Sequence, residues 1–202
     1  ARGNHEVASM NKIYGFEGEV LSKYDRGLYE LFGEAFCLLP LCHLINRRVF
    51  VVHGGLFSQD GVTLQAIRDI DREREPPSEG LMTDMLWSDP IQSPGRQASR
   101  RGVGVAFGQD VTEEFADRNG LSLIVRSHEM KHDGYEVEHG GKLVTVFSAP
   151  NYCDQMGNKG AILKLDSETL TPRFTTFDAV PHPPVRPMQY GNPLLSRLLA
   201  GS

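Results

Sequence analysis

Cysteine is scarce in this chain. Only Cys37, Cys42 and Cys153 occur among 202 residues, and no two form a CxxC pair. An odd and sparse set excludes a disulfide framework and a zinc site built on paired thiolates, and it fits free thiols in a reducing cytoplasmic or nuclear setting. Long apolar runs are missing too. The longest, residues 36–45, is broken by Pro40 and His43, far short of the roughly 20 residues of a membrane-crossing helix. Basic excess is absent: the net charge of −5 excludes a generic nucleic-acid surface. No P-loop, G-x-G-x-x-G or G-x-S-x-G occurs, so nucleotide cradling and serine-elbow hydrolysis have no motif to rest on. His5-Glu6 does not open an HExxH pair, because position 9 is Ser.

What is present is ordinary globular composition, 40% hydrophobic and 23% charged, in a length suited to one large domain. The early part has helical periodicity. Asn4 is placed to cap a helix with Val7, Met10, Ile13 and Tyr14 near one face, ended by Gly15; further helices are expected over 17–24 and 27–36. Residues 47–52 switch to a β-branched strand ending in His53-Gly54-Gly55. A short helix is expected over 64–70, a charged surface loop over 71–80, and a helix over 111–119 closed by Gly120. Strands follow at 121–126, 142–147, 161–165 and 173–177. The tail from 180 to 193 carries five prolines and cannot be helical throughout; residues 194–199 could form a short amphipathic helix. The class is α/β.

Polar residues recur just past strand ends: His53, His128 and Asn151-Tyr152, with Asn4-His5 near the start. Ligands and catalytic groups gather at the carboxyl ends of strands in α/β folds. A lone histidine there is more often a hydrogen-bonded turn residue than a ligand, but several at matching positions point to a shared site. Amide oxygens and imidazoles suit hard to borderline metal cations. His139 and His182, flanked by Gly and Pro, are expected to face solvent. Trp87 is expected to pack.

Gly3-Asn4-His5-Glu6, His53-Gly54-Gly55-Leu56, Leu86-Trp87-Ser88-Asp89-Pro90, Arg101-Gly102, Arg126-Ser127-His128-Glu129 and Ser148-Ala149-Pro150-Asn151-Tyr152-Cys153 occur in order. Together they resemble the catalytic domain of the phosphoprotein phosphatase family of Ser/Thr protein phosphatases, over nearly the whole chain. The resemblance implies a metallophosphoesterase-type β-sandwich flanked by helices. It implies hydrolysis of phosphoserine and phosphothreonine by hydroxide activated on two divalent metals, manganese or iron with zinc. Asn4, His53 and His128 match ligands of the second metal. His5 matches the general acid, Arg101 a phosphate-gripping arginine, and Tyr152 a residue lining the phosphate pocket beside Asn4 and His5. Cys153 to Gly157 match a loop overhanging the site.

The GDxHG and GDxxDRG segments, which bring the first metal's ligands and the bridging Asp in that family, do not occur in these residues. Nor does the Asp that would orient His5, or a second phosphate-gripping arginine. The expectation is therefore residues 1–180 as the C-terminal two-thirds of a phosphatase catalytic domain, its sandwich incomplete on the N-terminal side. A Pro-rich tail with a short helix follows over 181–202. Within the family, the Asp154 to Ala161 segment and the tail resemble a branch that associates with chaperones through N-terminal repeats. Phosphoproteins are the implied substrates. The competing reading is a non-catalytic binding module or decoy; a weaker one is a phosphoesterase acting on nucleotides or small phosphates.

Overall fold

The computed structural model describes residues 1–185. Its frame is a five-stranded sheet in the order β1-β2-β6-β8-β7. The three inner strands, β2 (Val49–Val52), β6 (Leu123–Arg126) and β8 (Leu143–Val146), run parallel. Edge strands β1 (Cys42–Ile45) and β7 (Tyr135–Glu138) pair antiparallel on either side. Parallel strands buried on both faces read as continuous apolar runs, and Val-Phe-Val-Val and Leu-Ile-Val are such runs.

Side chains alternate between two cores. Phe50, Val52, Ile124 and Leu143 face one cluster with Met82, Met85 and Leu86 of α5 (Leu81–Trp87) and Val111, Phe115 and Ala116 of α6 (Gln109–Asn119). Val49, Leu123, Val125 and Val144 face the other, capped by Leu163, Leu165 and Phe174 of the hairpin β9 (Gly160–Leu165) and β10 (Pro172–Phe177). Two strands cannot cover five. An apolar cleft of about 510 Å³ remains, lined among others by Ile45, Val51, Val125 and Ile162. The architecture is thus the α/β sandwich flanked by helices that the sequence implies.

The early helices are α1 (Ala8–Ile13), α2 (Phe16–Lys23), α3 (Arg26–Leu38) and α4 (Leu64–Arg68). Asp25 caps α3 by accepting from Leu28 N at 2.9 Å, and Gly120 closes α6 in the left-handed region, φ 65°, as its lack of a Cβ allows. The expected cap at Asn4 is not formed. Val7 occupies the N-cap of α1 with no side-chain bond, and the Asn4 amide is committed elsewhere. A small sheet, β3 (Asp89–Pro90), β4 (Arg96–Ala98) and β5 (Val105–Phe107), orders the segment after α5. The expected helix over 194–199 lies outside the described residues.

The expectation for His139 is overturned. It is 5% exposed, with Nε2 3.1 Å from the Ile91 carbonyl and Nδ1 2.7 Å from Thr112 Oγ1. A carbonyl only accepts, so Nε2 carries the proton and Nδ1 accepts from the threonine hydroxyl. Burial holds the imidazolium pKa below its ordinary value. His182 does face solvent, beside Asp154 at 2.7 Å.

The neutral His139 ring is the folded form, and unfolding frees it to protonate near its ordinary pKa of about 6.5. The unfolded state then binds more protons, so the contribution is complete above that pH and is lost as pH falls through it toward the folded value. Urea unfolding should find His139→Gln less stable than wild type at pH 7.5, with the gap narrowing by pH 5.5. A gap that does not narrow would contradict the assignment.

Candidate metal and phosphate site

The site forms where the parallel strands end. His53 follows β2 directly, and His128 lies two residues past β6. The two turns are joined by Ser127 N donating to His53 O at 3.0 Å. The glycines after His53 are there for contact. A Cβ on Gly54 would lie 2.6 Å from the Leu86 carbonyl carbon, and one on Gly55 would lie 2.3 Å from Phe107 Cε1. The turn therefore seats against the end of α5, where Gly54 N donates to Met85 O at 2.8 Å.

His53 Nε2 lies 2.8 Å from Asn4 Oδ1 and 3.1 Å from His128 Nδ1. Burial, reinforced by the Arg126 charge, pushes the His53 pKa down to about 4. Burial and the Arg101 guanidinium push His128 down to about 2. Both rings are neutral at pH 7, with lone pairs available. Three lone-pair atoms thus converge with at most one proton to share, which leaves one of the contacts uncompensated. A cation would satisfy all three. Separations near 3 Å are what adjacent ligands of one ion have when each bond is about 2.1 Å. The buried His128 Nε2 has no partner among the described residues. The residues fit part of a metal's coordination sphere. They do not complete it: among the described residues no group of three or more His, Cys, Asp or Glu side chains is placed to hold a metal.

Arg101 adjoins this set. Its Nε donates to Asp89 Oδ2 at 2.6 Å and its Nη2 to the His128 carbonyl at 3.3 Å. Nη1 has no protein partner among the described residues. The Trp87 indole meets the His128 ring edge-on, centroids 5.8 Å apart, so its expected packing role is met at the site itself. His5 is exposed, its ring 4.7 Å from that of Tyr14, its carbonyl bonded by Asn11 Nδ2 at 2.6 Å. Tyr152 packs edge-on against Phe147; burial raises its hydroxyl pKa, and the nearby Cys153 and Tyr14 add to the rise while Arg101 opposes it. Asn151, Cys153 and Asp154 all have positive φ, 46°, 56° and 59°, so this loop is strained and Cys153 stands exposed on it. A cleft of about 760 Å³ runs from Arg101 and Trp87 to Tyr14, Met10 and Val7.

Arg2, unremarked in sequence, is fully buried. It holds the Asn4-His5 turn through Glu6 O at 2.9 Å and ties residues 71–75 down through Arg74 O at 2.7 Å. That loop is exposed as expected, yet anchored. Asp89 and Arg126 stand in the sequence motifs with no role of their own assigned to either. The one available signal was an arginine ending an apolar strand, which must find acceptors.

A neutral amide and two neutral imidazoles stand beside an arginine at the ends of parallel strands, an arrangement suited to a divalent cation and an oxyanion. Residues 1–132 match the calcineurin-like phosphoesterase family, and the chain belongs to it. It is 64% identical over 195 residues to serine/threonine-protein phosphatase 5 of Solanum lycopersicum, and 59% over 194 residues to that of Homo sapiens. These alignments cover 96% of this chain but 35% and 39% of the relatives, so the chain spans little more than a third of their length. A solved protein serine/threonine phosphatase from Saccharomyces cerevisiae, described as similar to human PP5, superposes with TM-score 0.86 at 43% identity. That match covers 93% of this chain and 62% of the other.

Gly55→Ala should cost about 1–3 kcal/mol in chemical denaturation, because the added methyl must displace Phe107 or the Ser88 carbonyl. A loss below about 0.5 kcal/mol, the range of inert surface changes, would refute the close approach.

Proposed function

We propose that these residues form the second-metal, phosphate-gripping and proton-donating half of a metal-dependent serine/threonine protein phosphatase. The observation that carries this is the convergence of Asn4 Oδ1, His53 Nε2 and His128 Nδ1 within 2.8 and 3.1 Å, next to Arg101. A bound divalent pair supplies Lewis acidity that activates water and neutralises phosphate charge. The chain's own groups do the rest. The free Nη1 edge of Arg101 is set to hold phosphate oxygens, with the Nε edge anchored on Asp89. Tyr152 lines the phosphate pocket. His5 gives a proton to the departing serine or threonine oxygen.

An amide oxygen with two imidazoles suits manganese, iron or zinc. Phosphoproteins are the substrates. Three free thiols suit the cytoplasm or nucleus. No described helix is long and apolar enough to cross a membrane. Resemblance to the phosphatase 5 branch supports chaperone partners, engaged through sequence outside these residues.

These residues alone form a half-site, because among the described residues no carboxylate joins the ligand set. Titration with Co2+ should find one ion per chain, with affinity falling at least about tenfold in His53→Ala, since even outer-shell changes cost that much. Equal binding by the variant, or none by the wild type, overturns the metal reading. With Mn2+ the chain should hydrolyse a phosphoserine peptide no faster than a metal-only blank; turnover above the blank refutes the half-site.

A further inference from the structure

The Arg126 side chain is wholly buried at the end of β6, and all five of its N–H groups have acceptors. Nε donates to the Gly54 carbonyl. Nη1 donates to Glu129 Oε2 at 2.6 Å and Thr145 Oγ1 at 3.3 Å. Nη2 donates to the Ser88 carbonyl at 3.3 Å and Asp89 Oδ1 at 2.6 Å. The acceptors are not scattered. Gly54 is the residue after His53. Glu129 is the residue after His128. Asp89 is the carboxylate whose other oxygen holds Arg101 Nε at 2.6 Å. His53, His128 and Arg101 are each one residue, or one ion pair, from this guanidinium.

We propose that Arg126 is a positioning residue that sets the two histidine turns and, through Asp89, the phosphate-facing arginine in one frame. The proposal rests on the phosphatase reading for the roles of those three side chains. It does not rest on that reading for their geometry. A planar fork is needed, because only a guanidinium can address five acceptors in fixed directions; a lysine at 126 offers three donors from one point. The two arms are separable. Asp89 serves Arg101, whereas Arg126 serves both histidine turns and Asp89. Asparagine at 89 keeps an oxygen for Arg126, which retains the Glu129 carboxylate as counter-charge, but turns an N–H toward Arg101 Nε, so the larger loss falls on Arg101, which gives up its one carboxylate partner.

The test uses the 202-residue chain with Co2+ and inorganic phosphate as probes, and the emission of its single tryptophan, Trp87, as a reporter of His128. Asp89→Asn should weaken phosphate about tenfold, the loss of one charge-assisted bond, while Co2+ affinity stays within about twofold, below what losing such a bond costs. Arg126→Lys should weaken both probes about tenfold or more, by the same loss at each arm, and shift Trp87 emission with circular dichroism unchanged. A folded Arg126→Lys with wild-type affinities and emission overturns the proposal. So does Asp89→Asn weakening both probes alike, which marks general loosening. If Arg126→Lys does not fold, the split in Asp89→Asn decides. Should wild type bind neither probe, the phosphatase reading fails. The Arg126 assignment is then judged on Trp87 emission in Arg126→Lys: a shift supports it and an unchanged spectrum overturns it.

Discussion

A buried guanidinium is the constraint on which the site is built. Taking an isolated charge out of water costs several kcal/mol even after relaxation, and the cost is offset only when opposite charge and a full set of hydrogen bonds go with it. Arg126 meets that condition with two carboxylates, two carbonyls and a hydroxyl. Those acceptors come from the turn after β2, the end of α5 with the start of β3, the segment after β6 and strand β8. The chain cannot satisfy the arginine without bringing these elements together. Once they are together, His53, His128 and Arg101 stand side by side.

The parallel strands supply what the arginine organises. β2, β6 and β8 lie adjacent, so their carboxyl ends open on the same side. Alternation sends Ile124 and Arg126 toward the helices and Leu123 and Val125 toward the hairpin. A one-residue slip would put the charge in the hairpin-side core, where Leu163, Leu165 and Phe174 offer side chains with no acceptor. The same field then acts on the two histidines. Arg126 and Arg101 both disfavour protonation of His53 and His128, which keeps imidazole lone pairs open and favours an anionic substrate. A neutral amide and two imidazoles in a positive field are a weak trap for a cation by themselves, which is the physical sense of the half-site proposed above.

Much of this was legible in the sequence. Apolar runs within 47–52, 121–126 and 142–147 announced the buried strands, and the polar residues at 53 and 128 do come together where two of those strands end. Less was legible where elements are short or defined by distant partners. β1 sits just past Pro40 in an apolar stretch continuous with α3. α5 has seven residues and begins after a glycine with no capping bond. β3, β4 and β5, of two or three residues each, are too brief to show a period. His139 looked like a loop residue because its neighbours are glycines; its burial comes from Thr112 and Ile91, 27 and 48 positions away.

The one local rule that misled is the most informative. Asparagine ahead of an apolar periodic segment is a strong helix cap, and such a bond stabilises by about 1 kcal/mol. Here the segment is helical, yet Asn4 does not cap it and α1 begins on an unaided valine. The amide faces His53 instead. Nearby, His128 holds φ 71°, a conformation that costs a non-glycine residue energy and persists only where surroundings over-determine it. A forgone cap and a left-handed histidine at one set of strand ends are local losses with no local return. They are understandable only as consequences of directing an amide oxygen and two imidazoles at one point, which is where sequence-level consistency is expected to give way to function.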